Sequence, residues 1–401
     1  MFKKLILLSF IISIYIYPQG ESAISTLTLP LSARSIGAGG TGTANTQSDP
    51  FGYWSNPAYL GYTSSNSFVT GGFYPGVTKW AKTDDNTINS YSISAGYNLQ
   101  KLFNGLPVSI GAAYSKWQFN YGDMWGINYG AKDFYAAYSI GIGYHSLVNV
   151  SAGLTIKDVH SVLVDFPELK SETSVTAVDY GLLINLPLNN FFKKPLKFNI
   201  NKSSILTTIN YNIGYSIQNV GDEVHFADPN QKDPIPRTAK LAHNINIGFL
   251  LNSDKIDLEL FNFSYSLDAV DNIVQKKWAA DFSRVDISYG GMFGSIKPIK
   301  NLFLGKSDSE IIVRKGLELG FGEILSLSWG GFNGGYIANG TTSGYGLKLK
   351  GLLKITDMLF PDTIISQLVD KVDIQYNYST YYKDSPLETN FKSIAVTISG
   401  F

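Results

Sequence analysis

The chain has 401 residues, and its 32 Lys and Arg balance its 32 Asp and Glu, which gives a formal net charge of zero. Charged residues make up 16% of the chain, against about 25% in typical soluble proteins, which disfavours a basic nucleic-acid surface. The absence of cysteine excludes disulfides, thiolate metal sites and cysteine nucleophiles, while 25 Tyr, 24 Phe and 39 Gly are typical of a strand-rich chain.

The first predicted element is a secretory signal peptide over residues 1–22. Met1 to Lys4 is positively charged, and the apolar run from Leu5 to Tyr17 has the length of a signal core. An uncleaved anchor is the alternative. No later stretch reaches the ~18 uncharged apolar residues that a membrane-spanning helix needs.

A glycine-rich motif follows at residues 37–42, which read Gly-Ala-Gly-Gly-Thr-Gly. Although this is formally a dinucleotide-binding pattern, such a site needs a preceding hydrophobic strand, a following helix and a downstream acid. The residues before the motif form a poor strand, and residues 43–49 are a polar tract. We therefore expect no nucleotide and no other cofactor here.

The same region resembles the N-terminal signature of the PorV/PorQ family of outer-membrane proteins, which is related in architecture to the FadL fatty acid transporters. The residues that carry the resemblance are Arg34, Gly37, Gly39, Gly40, Asn56, Pro57 and Ala58. The resemblance implies an all-β, FadL-like transmembrane antiparallel barrel of about 14 strands, formed by residues 65–401, in the outer membrane of a Gram-negative bacterium. It also implies that residues 23–64 fold into the lumen as a plug.

Physical chemistry agrees with a plug at this position. Glycines allow close backbone approach, and Pro57 favours an extended or turn conformation at Asn56. Arg34 has two open readings, one as the partner of a lumen carboxylate and the other as a solvated charge on a mobile N-terminal arm.

Apolar and small polar residues alternate along most of the remaining chain. In residues 371–378, for example, Val372, Ile374, Tyr376 and Tyr378 share one face of a strand. Comparable alternating segments lie at residues 91–99, 108–114, 134–144, 148–156, 209–217, 245–251, 285–289, 317–321, 325–329 and 345–349, with further strands near Val69, Val178, Phe263, Tyr376 and Val396. These segments predict 14 or 15 strands, and an even number is typical of bacterial barrels.

The inward face of the predicted strands is mostly Ser, Gly, Asn and Thr, opposite a bulky apolar face. That pattern predicts lipid outside the barrel and water or small polar side chains inside. It argues mildly against an apolar conduit through the lumen.

Midway along the chain, a long loop follows the strand that ends near Gln218. Residues 217–221 and 233–238 are similar to a strand end and loop of PorV-like chains, with Asn219, Gly221, Pro234 and Pro236 as the loop signature. At the C-terminus, Phe401 is the terminal aromatic that barrel-insertion machinery favours. In a regular strand Phe401 would share the polar face with Thr397 and Ser399. The backbone must therefore bend at Gly400 for Phe401 to face lipid.

No pattern of catalytic residues is recognisable. The histidines His145, His160, His225 and His243 lack metal-ligand spacing, and the chain contains no nucleophile elbow or phosphate-binding loop. We therefore expect no enzyme, no catalytic residues and no metal site.

Three functions remain as hypotheses. The main one, implied by the PorV resemblance, is a role in type IX secretion, with a secretion translocon and secreted cargo proteins as partners besides outer-membrane lipid. The second is a FadL-like channel for hydrophobic small molecules. The third, a soluble secreted β-protein such as a propeller, lacks the ~40–50-residue repeat that it would need.

Overall fold

The computed structural model describes residues 22–401, except 84–85, 104, 123–128, 167–168, 193–195, 201–202, 227–231, 254–255, 279–284, 336–338, 362 and 370. The predicted signal peptide therefore lies outside the described residues, apart from Ser22.

Fourteen antiparallel strands form a closed barrel, and two short strands of the same sheet, Thr78–Lys79 and Lys197–Ile200, pair with the ends of two of them. In chain order they are β1 (Phe68–Phe73), β2 (Thr87–Asn98), β3 (Val108–Asn120), β4 (Lys132–His145), β5 (Asn149–Phe166), β6 (Leu169–Pro187), β7 (Ser203–Gly221), β8 (Thr238–Asn252), β9 (Asp257–Asn272), β10 (Ile311–Phe321), β11 (Leu325–Gly334), β12 (Gly340–Lys348), β13 (Val372–Tyr381) and β14 (Thr389–Ser399). The barrel closes because β1 pairs with both β14 and β2. The predicted fold class and strand number are confirmed.

One alternating segment is not a barrel strand. Val285–Tyr289 instead forms a separate hairpin with Val274–Trp278 in the connection between β9 and β10. Alternation alone could not exclude it, since a hairpin outside the barrel has the same two-residue period.

The two-residue period places apolar side chains outside. Ile93, Ile110 and Ile140 are 46–62% exposed on the outer wall, whereas their neighbours Ser94, Ser109 and Ser139 are buried on the lumen side. Exposed apolar side chains at alternate positions are typical of a barrel wall that faces lipid.

The connections define two rims. The turn rim carries the short turns at residues 146–148 and 322–324, the longer connections at 188–202 and 349–371 and the C-terminal end of β14, and the loop rim carries the connections at residues 222–237 and 273–310, of which the second is the longest in the barrel. In bacterial barrels short turns lie on the periplasmic side and long loops outside the cell.

The N-terminal segment folds inside the barrel before β1 begins. It contains the helices α1 (Ala33–Gly37), α2 (Gly52–Ser55) and α3 (Ala58–Thr63), with 3-10 turns at Ser25–Thr28 and Ser64–Asn66. Two further helices, α4 (Lys350–Leu359) and α5 (Thr363–Leu368), lie at the turn rim between β12 and β13. Within the described part of the chain, no helix is both long and apolar enough to cross a membrane.

Candidate functional site in the barrel lumen

The lumen has an aromatic half toward the loop rim. Large side chains at inward positions near the loop-rim ends of the strands are almost fully buried there, namely Trp117, Phe119, Tyr135, Phe332, Tyr381 and Phe391. Trp117 and Tyr135 stack with ring centroids 4.7 Å apart, and Phe332 and Tyr381 stack at 5.1 Å. The expectation that the inward face is mostly Ser, Gly, Asn and Thr does not hold for this half.

Residues 23–31, here called the cover, fill the space between these rings. Leu27 and Leu31 are each 2% exposed within the aromatic cluster. The cover has no charged residue, and its polar contacts outside itself are few. The Ala23 amide donates to the Pro234 carbonyl at 2.8 Å, Thr26 contacts Asp133 and Tyr135, and the Leu31 carbonyl accepts from Tyr74.

Asp133 accepts a hydrogen bond from Thr26, the one buried polar side chain of the cover. This carboxylate is 1% exposed and accepts hydrogen bonds from Tyr121 at 2.7 Å and Ser161 at 2.6 Å, besides Thr26. No sequence pattern indicated this role, because the residues that meet at Asp133 come from separate elements.

The half of the lumen toward the turn rim is polar. Side-chain amides form a ladder across neighbouring strands, in which Asn149 donates to Asn185, Asn185 to Asn212 and Asn212 to Asn244, at 2.6–2.8 Å. Asn244 then donates to both Ser264 and Ser266 at 2.8 Å. Here the predicted polar inward face is observed.

Residues 32–67, here called the base, are held to this half by a buried ion pair. Arg34 Nε donates to Glu318 Oε2 at 3.0 Å, Nη2 contacts Oε1, and Nη1 donates to the Ser48 carbonyl at 2.9 Å. The two side chains are 4% and 8% exposed. The structure thus places Arg34 on a lumen carboxylate of β10 and not on a solvated arm.

Glycines of the base meet glycines of the wall. A Cβ atom on Gly39 would lie 2.2 Å from the Lys315 carbonyl oxygen, and one on Gly37 would lie 3.2 Å from the Gly344 Cα. Gly39 and Gly40 have φ of 79° and 73°, which side chains disfavour. The glycine-rich motif therefore serves close backbone packing.

The Asn-Pro-Ala element begins α3. The Asn56 side chain donates to the carbonyls of Thr43 at 2.7 Å and Leu182 at 3.0 Å, and its Oδ1 accepts from the Ala58 amide at 3.1 Å. Asn56 is extended, with φ −156° and ψ 111°, as a residue before proline should be. It ties two parts of the base to the wall.

Helix α3 lies on a row of wall glycines that are directly opposite one another on five consecutive strands. The row consists of Gly96, Gly111, Gly141, Gly153 and Gly181. A Cβ on Gly153 would lie 2.3 Å from the Pro57 carbonyl carbon, and one on Gly141 would lie 2.6 Å from the Gly61 nitrogen. Side chains in this row would push the helix off the wall.

The midway loop signature meets the base near the loop rim. Asn219 accepts from Lys157 Nζ at 2.8 Å and donates to the Pro236 carbonyl at 2.9 Å, and its backbone amide donates to Asp179 at 2.8 Å. Lys157 also pairs with Asp179 at 2.7 Å and lies 4.4 Å from the Trp54 ring centroid. The two family-like patches are thus neighbours in space.

The remaining signature residues have separate places. Gly221 ends β7, and its carbonyl accepts from Arg237 at 3.2 Å, while Pro234 contacts the cover through Ala23. Gly400, with φ 76°, re-aims Phe401, which is 51% exposed and borders an apolar groove of about 870 Å³ on the outer wall.

Sequence reasoning missed the partners Glu318, Lys157, Asp179 and Asp133. Their only signal was a charged residue at an inward position of a strand. Among the described residues, no group of His, Asp and Glu could hold a metal ion.

No protein-family model matches the chain, and no curated protein matches it. The toluene transporter TodX of Pseudomonas putida has 10% identity and a TM-score of 0.41, with 92% of this chain and 98% of that chain covered. A FadL homologue of Pseudomonas aeruginosa has 7% identity and a TM-score of 0.40, with 92% and 99% covered. The toluene transporter TbuX of Ralstonia pickettii has 12% identity and a TM-score of 0.38, with 92% and 98% covered.

These three neighbours are FadL-family barrels, and none of them is named PorV or PorQ. At such TM-scores the likeness carries no argument about what this chain binds. The strand count stands on the hydrogen bonding of the chain itself.

Proposed function

We propose that this protein is an outer-membrane barrel that admits hydrophobic small molecules into its lumen, with the cover as the displaceable part of its plug. The observation that carries the proposal is the aromatic half of the lumen, whose rings pack on the cover. Ligand pockets for hydrophobic molecules are typically lined by aromatic and aliphatic side chains with a few polar groups.

Displacement of the cover would uncover a pocket of this kind. Trp117, Phe119 and Phe391 would line it, and Asp133 with its hydroxyl partners would supply the polar end. A solute that buries its own apolar surface against these rings would replace the contacts of Leu27 and Leu31. Because similar apolar areas are buried before and after, the free energy of this exchange would be close to zero.

Passage toward the turn rim needs a second movement, because the base, whose Phe51 and Trp54 also pack in the aromatic cluster, fills the lumen beyond the cover. A reducible bis-thiosulfonate cross-link between Thr46→Cys of the base and Asn212→Cys of β7 should block that movement, since the two native side chains are hydrogen-bonded at 3.2 Å. The matched control is Ser139→Cys with Thr155→Cys, which joins two wall strands whose hydroxyls are 2.7 Å apart.

The experiment measures entry of radiolabelled oleate and toluene into proteoliposomes with a lipopolysaccharide outer leaflet, with protein-free vesicles as the background, because both solutes cross a plain phospholipid bilayer unaided. Cross-linked T46C/N212C should lose permeation above background and regain it on reduction, whereas the control pair should permeate in both states. Equal permeation of the clamped and reduced protein, or no permeation by the unmodified protein, would contradict the proposal.

A role like that of PorV in type IX secretion is the second candidate. It is favoured by the two family-like sequence patches, which meet through Trp54 and Lys157. In the native host, deletion of the gene should then abolish surface delivery of secreted cargo, and the barrel should co-purify with a secretion translocon. Normal cargo delivery without co-purifying proteins would leave the channel proposal alone.

A further inference from the structure

The connection between β9 and β10 folds back over the outside of the barrel. Its residues 290–306, here called the strap, place Ile296 and Leu302 against the outer wall, where they are 7% and 4% exposed. The wall residues beneath them are Ala239, Leu267, Ala269, Ile311 and Val313, all of which are buried. The strap therefore covers apolar wall that lies toward the loop rim.

Hydrogen bonds hold the strap in one conformation. Asn301 is fully buried, accepts from the Lys297 amide at 2.7 Å and donates to the Lys306 carbonyl at 2.8 Å. The Ser295 amide donates to Asp271 at 2.6 Å, and Tyr215 donates to the Met292 carbonyl at 2.7 Å. These hydrogen bonds fix the strap against the outer wall of the barrel.

The outer face of the strap is apolar. Ile299 is 74% exposed, which exceeds the 62% of Ile140 on the lipid-facing wall. The other exposed apolar residues of this face are Met292, Phe293, Phe303 and Leu304. A contiguous exposed patch of large apolar side chains is a feature of surfaces that contact a membrane or a protein.

Continuity with the lipid-facing wall indicates which of these two the strap contacts. Phe303 stacks on His243 at 6.0 Å and Phe293 packs on Tyr215 at 5.0 Å, and both wall residues point outward. Aromatic side chains of barrels concentrate at the membrane interfaces. The apolar face of the strap thus continues the apolar wall at its loop-rim boundary.

Charge marks the same boundary. On the strands β3 and β5, the outward positions turn polar toward the loop rim at Lys116 and Asp158. Lys297 and Lys306 of the strap and Lys315 beside it are exposed, and Lys315 is the first outward charge on β10 above Leu317. Lysines at such a boundary extend their ammonium groups toward the headgroups.

We propose that the strap is an interfacial anchor, in which the apolar face enters the acyl region of the outer leaflet. Lys297, Lys306 and Lys315 meet the anionic phosphate groups of the lipid headgroups. The ligand class is a phosphorylated lipid, and the anchor extends the lipid contact of the barrel on the side of β8 to β10.

The absence of cysteine from the sequence allows a direct depth measurement with single labels. The full chain is labelled with bimane at Ile299→Cys or Leu304→Cys and placed in nanodiscs of phosphatidylcholine and phosphatidylglycerol. Ile140→Cys serves as the lipid-facing control and Leu387→Cys, which is 46% exposed in a loop-rim connection, as the aqueous control. Brominated acyl chains quench labels in lipid, and iodide quenches labels in water.

The labels at 299 and 304 should be quenched by brominated chains as the label at 140 is, and should be protected from iodide. Quenching by iodide alone, as expected at 387, would overturn the anchor. Protection from both quenchers in outer membranes of the native host would also overturn it, in favour of a protein partner on the strap.

A second measurement tests the lysines. The preference for spin-labelled phosphatidylglycerol over phosphatidylcholine should fall about fivefold for each of Lys297→Gln and Lys306→Gln, because each lysine near an anionic surface contributes ~1 kcal/mol. Lys383→Gln, an exposed lysine at the loop rim, is the control and should leave the preference unchanged. Inorganic phosphate at equal concentration should not compete, and competition would indicate a free-phosphate site instead. An unchanged preference in both strap variants would overturn the headgroup contact.

Discussion

The cover and the base occupy the same lumen but are held by different forces. The base has the buried Arg34–Glu318 pair, the Asn56 hydrogen bonds and the glycine row beneath α3. The cover lacks an ion pair and is held by apolar packing, in a cluster that it shares with Phe51 and Trp54 of the base, and by a few hydrogen bonds. Under the proposed function, the apolar packing of the cover is exchanged for that of an apolar ligand, whereas the ion pair and the close backbone packing of the base are kept. The difference between the two segments is what a plug with one displaceable end requires.

The largest expected effect is on the ion pair of the base. Glu318→Ala would leave Arg34 buried without its partner, and we expect the barrel to lose about 3–5 kcal/mol of unfolding free energy. The measurement is urea unfolding in lipid, followed by the heat-dependent gel shift of folded barrels.

Two variants control this prediction. Arg34→Met with Glu318→Leu should recover most of the loss, because an apolar pair can replace a buried ion pair. Glu388→Ala, which breaks the exposed contact with Lys82, should cost about 0–1 kcal/mol. A loss of that small size for Glu318→Ala would show that the base is not held by charge.

The second effect concerns the glycine row. Gly153→Val should displace α3, because its Cβ would lie 2.3 Å from the Pro57 backbone, and we expect a loss of about 1–3 kcal/mol. Gly71→Val is the matched control in the wall, since its Cβ would meet only the Ser92 carbonyl at 4.0 Å. Equal unfolding midpoints of the two variants would contradict the seating of α3 on this row.

The third effect is on the cover. Leu31→Ala removes a buried side chain, which costs about 2–5 kcal/mol in a rigid core. We expect the low end of that range, because under the proposed function the cover detaches without unfolding the barrel. Permeation of oleate into proteoliposomes with a lipopolysaccharide outer leaflet should rise at the same time. A loss at the high end with unchanged permeation would mean that the cover is as fixed as the base.

The smallest effect is at Thr26. Thr26→Val removes the hydrogen bonds of Thr26 with Asp133 and Tyr135, and because Asp133 keeps its bonds from Tyr121 and Ser161 we expect a cost of only about 1 kcal/mol. Faster amide exchange should be confined to residues 23–31. Faster exchange in the base as well would show that the two parts of the plug move together.

The sequence predicted the barrel well because side chains alternate between the outer wall and the packed lumen with the two-residue period of a strand. It did not predict the aromatic half of the lumen, since alternation gives the face of Trp117 or Phe391 but not its height in the barrel. Glu318 could not be assigned to Arg34 from 284 positions away. The hairpin strand Val285–Tyr289 matched the pattern of a barrel strand although it pairs outside the barrel.

The orientation of Phe401 was also beyond what alternation could predict. Alternation placed Phe401 on the polar face, and the positive φ of Gly400 turns it outward. Only the possibility of such a turn was visible in the sequence. The strap was not predicted at all, because a segment that covers the outside of a wall has no period that distinguishes it from an ordinary loop.

Hydrogen exchange of the folded barrel, with and without oleate, tests the difference between cover and base most directly. If the cover is displaceable and the base is fixed, amides of residues 23–31 should exchange faster than those of residues 34–64. Oleate should further accelerate exchange in residues 23–31 alone. Equal protection of the two segments, or no response of the cover to oleate, would contradict that difference.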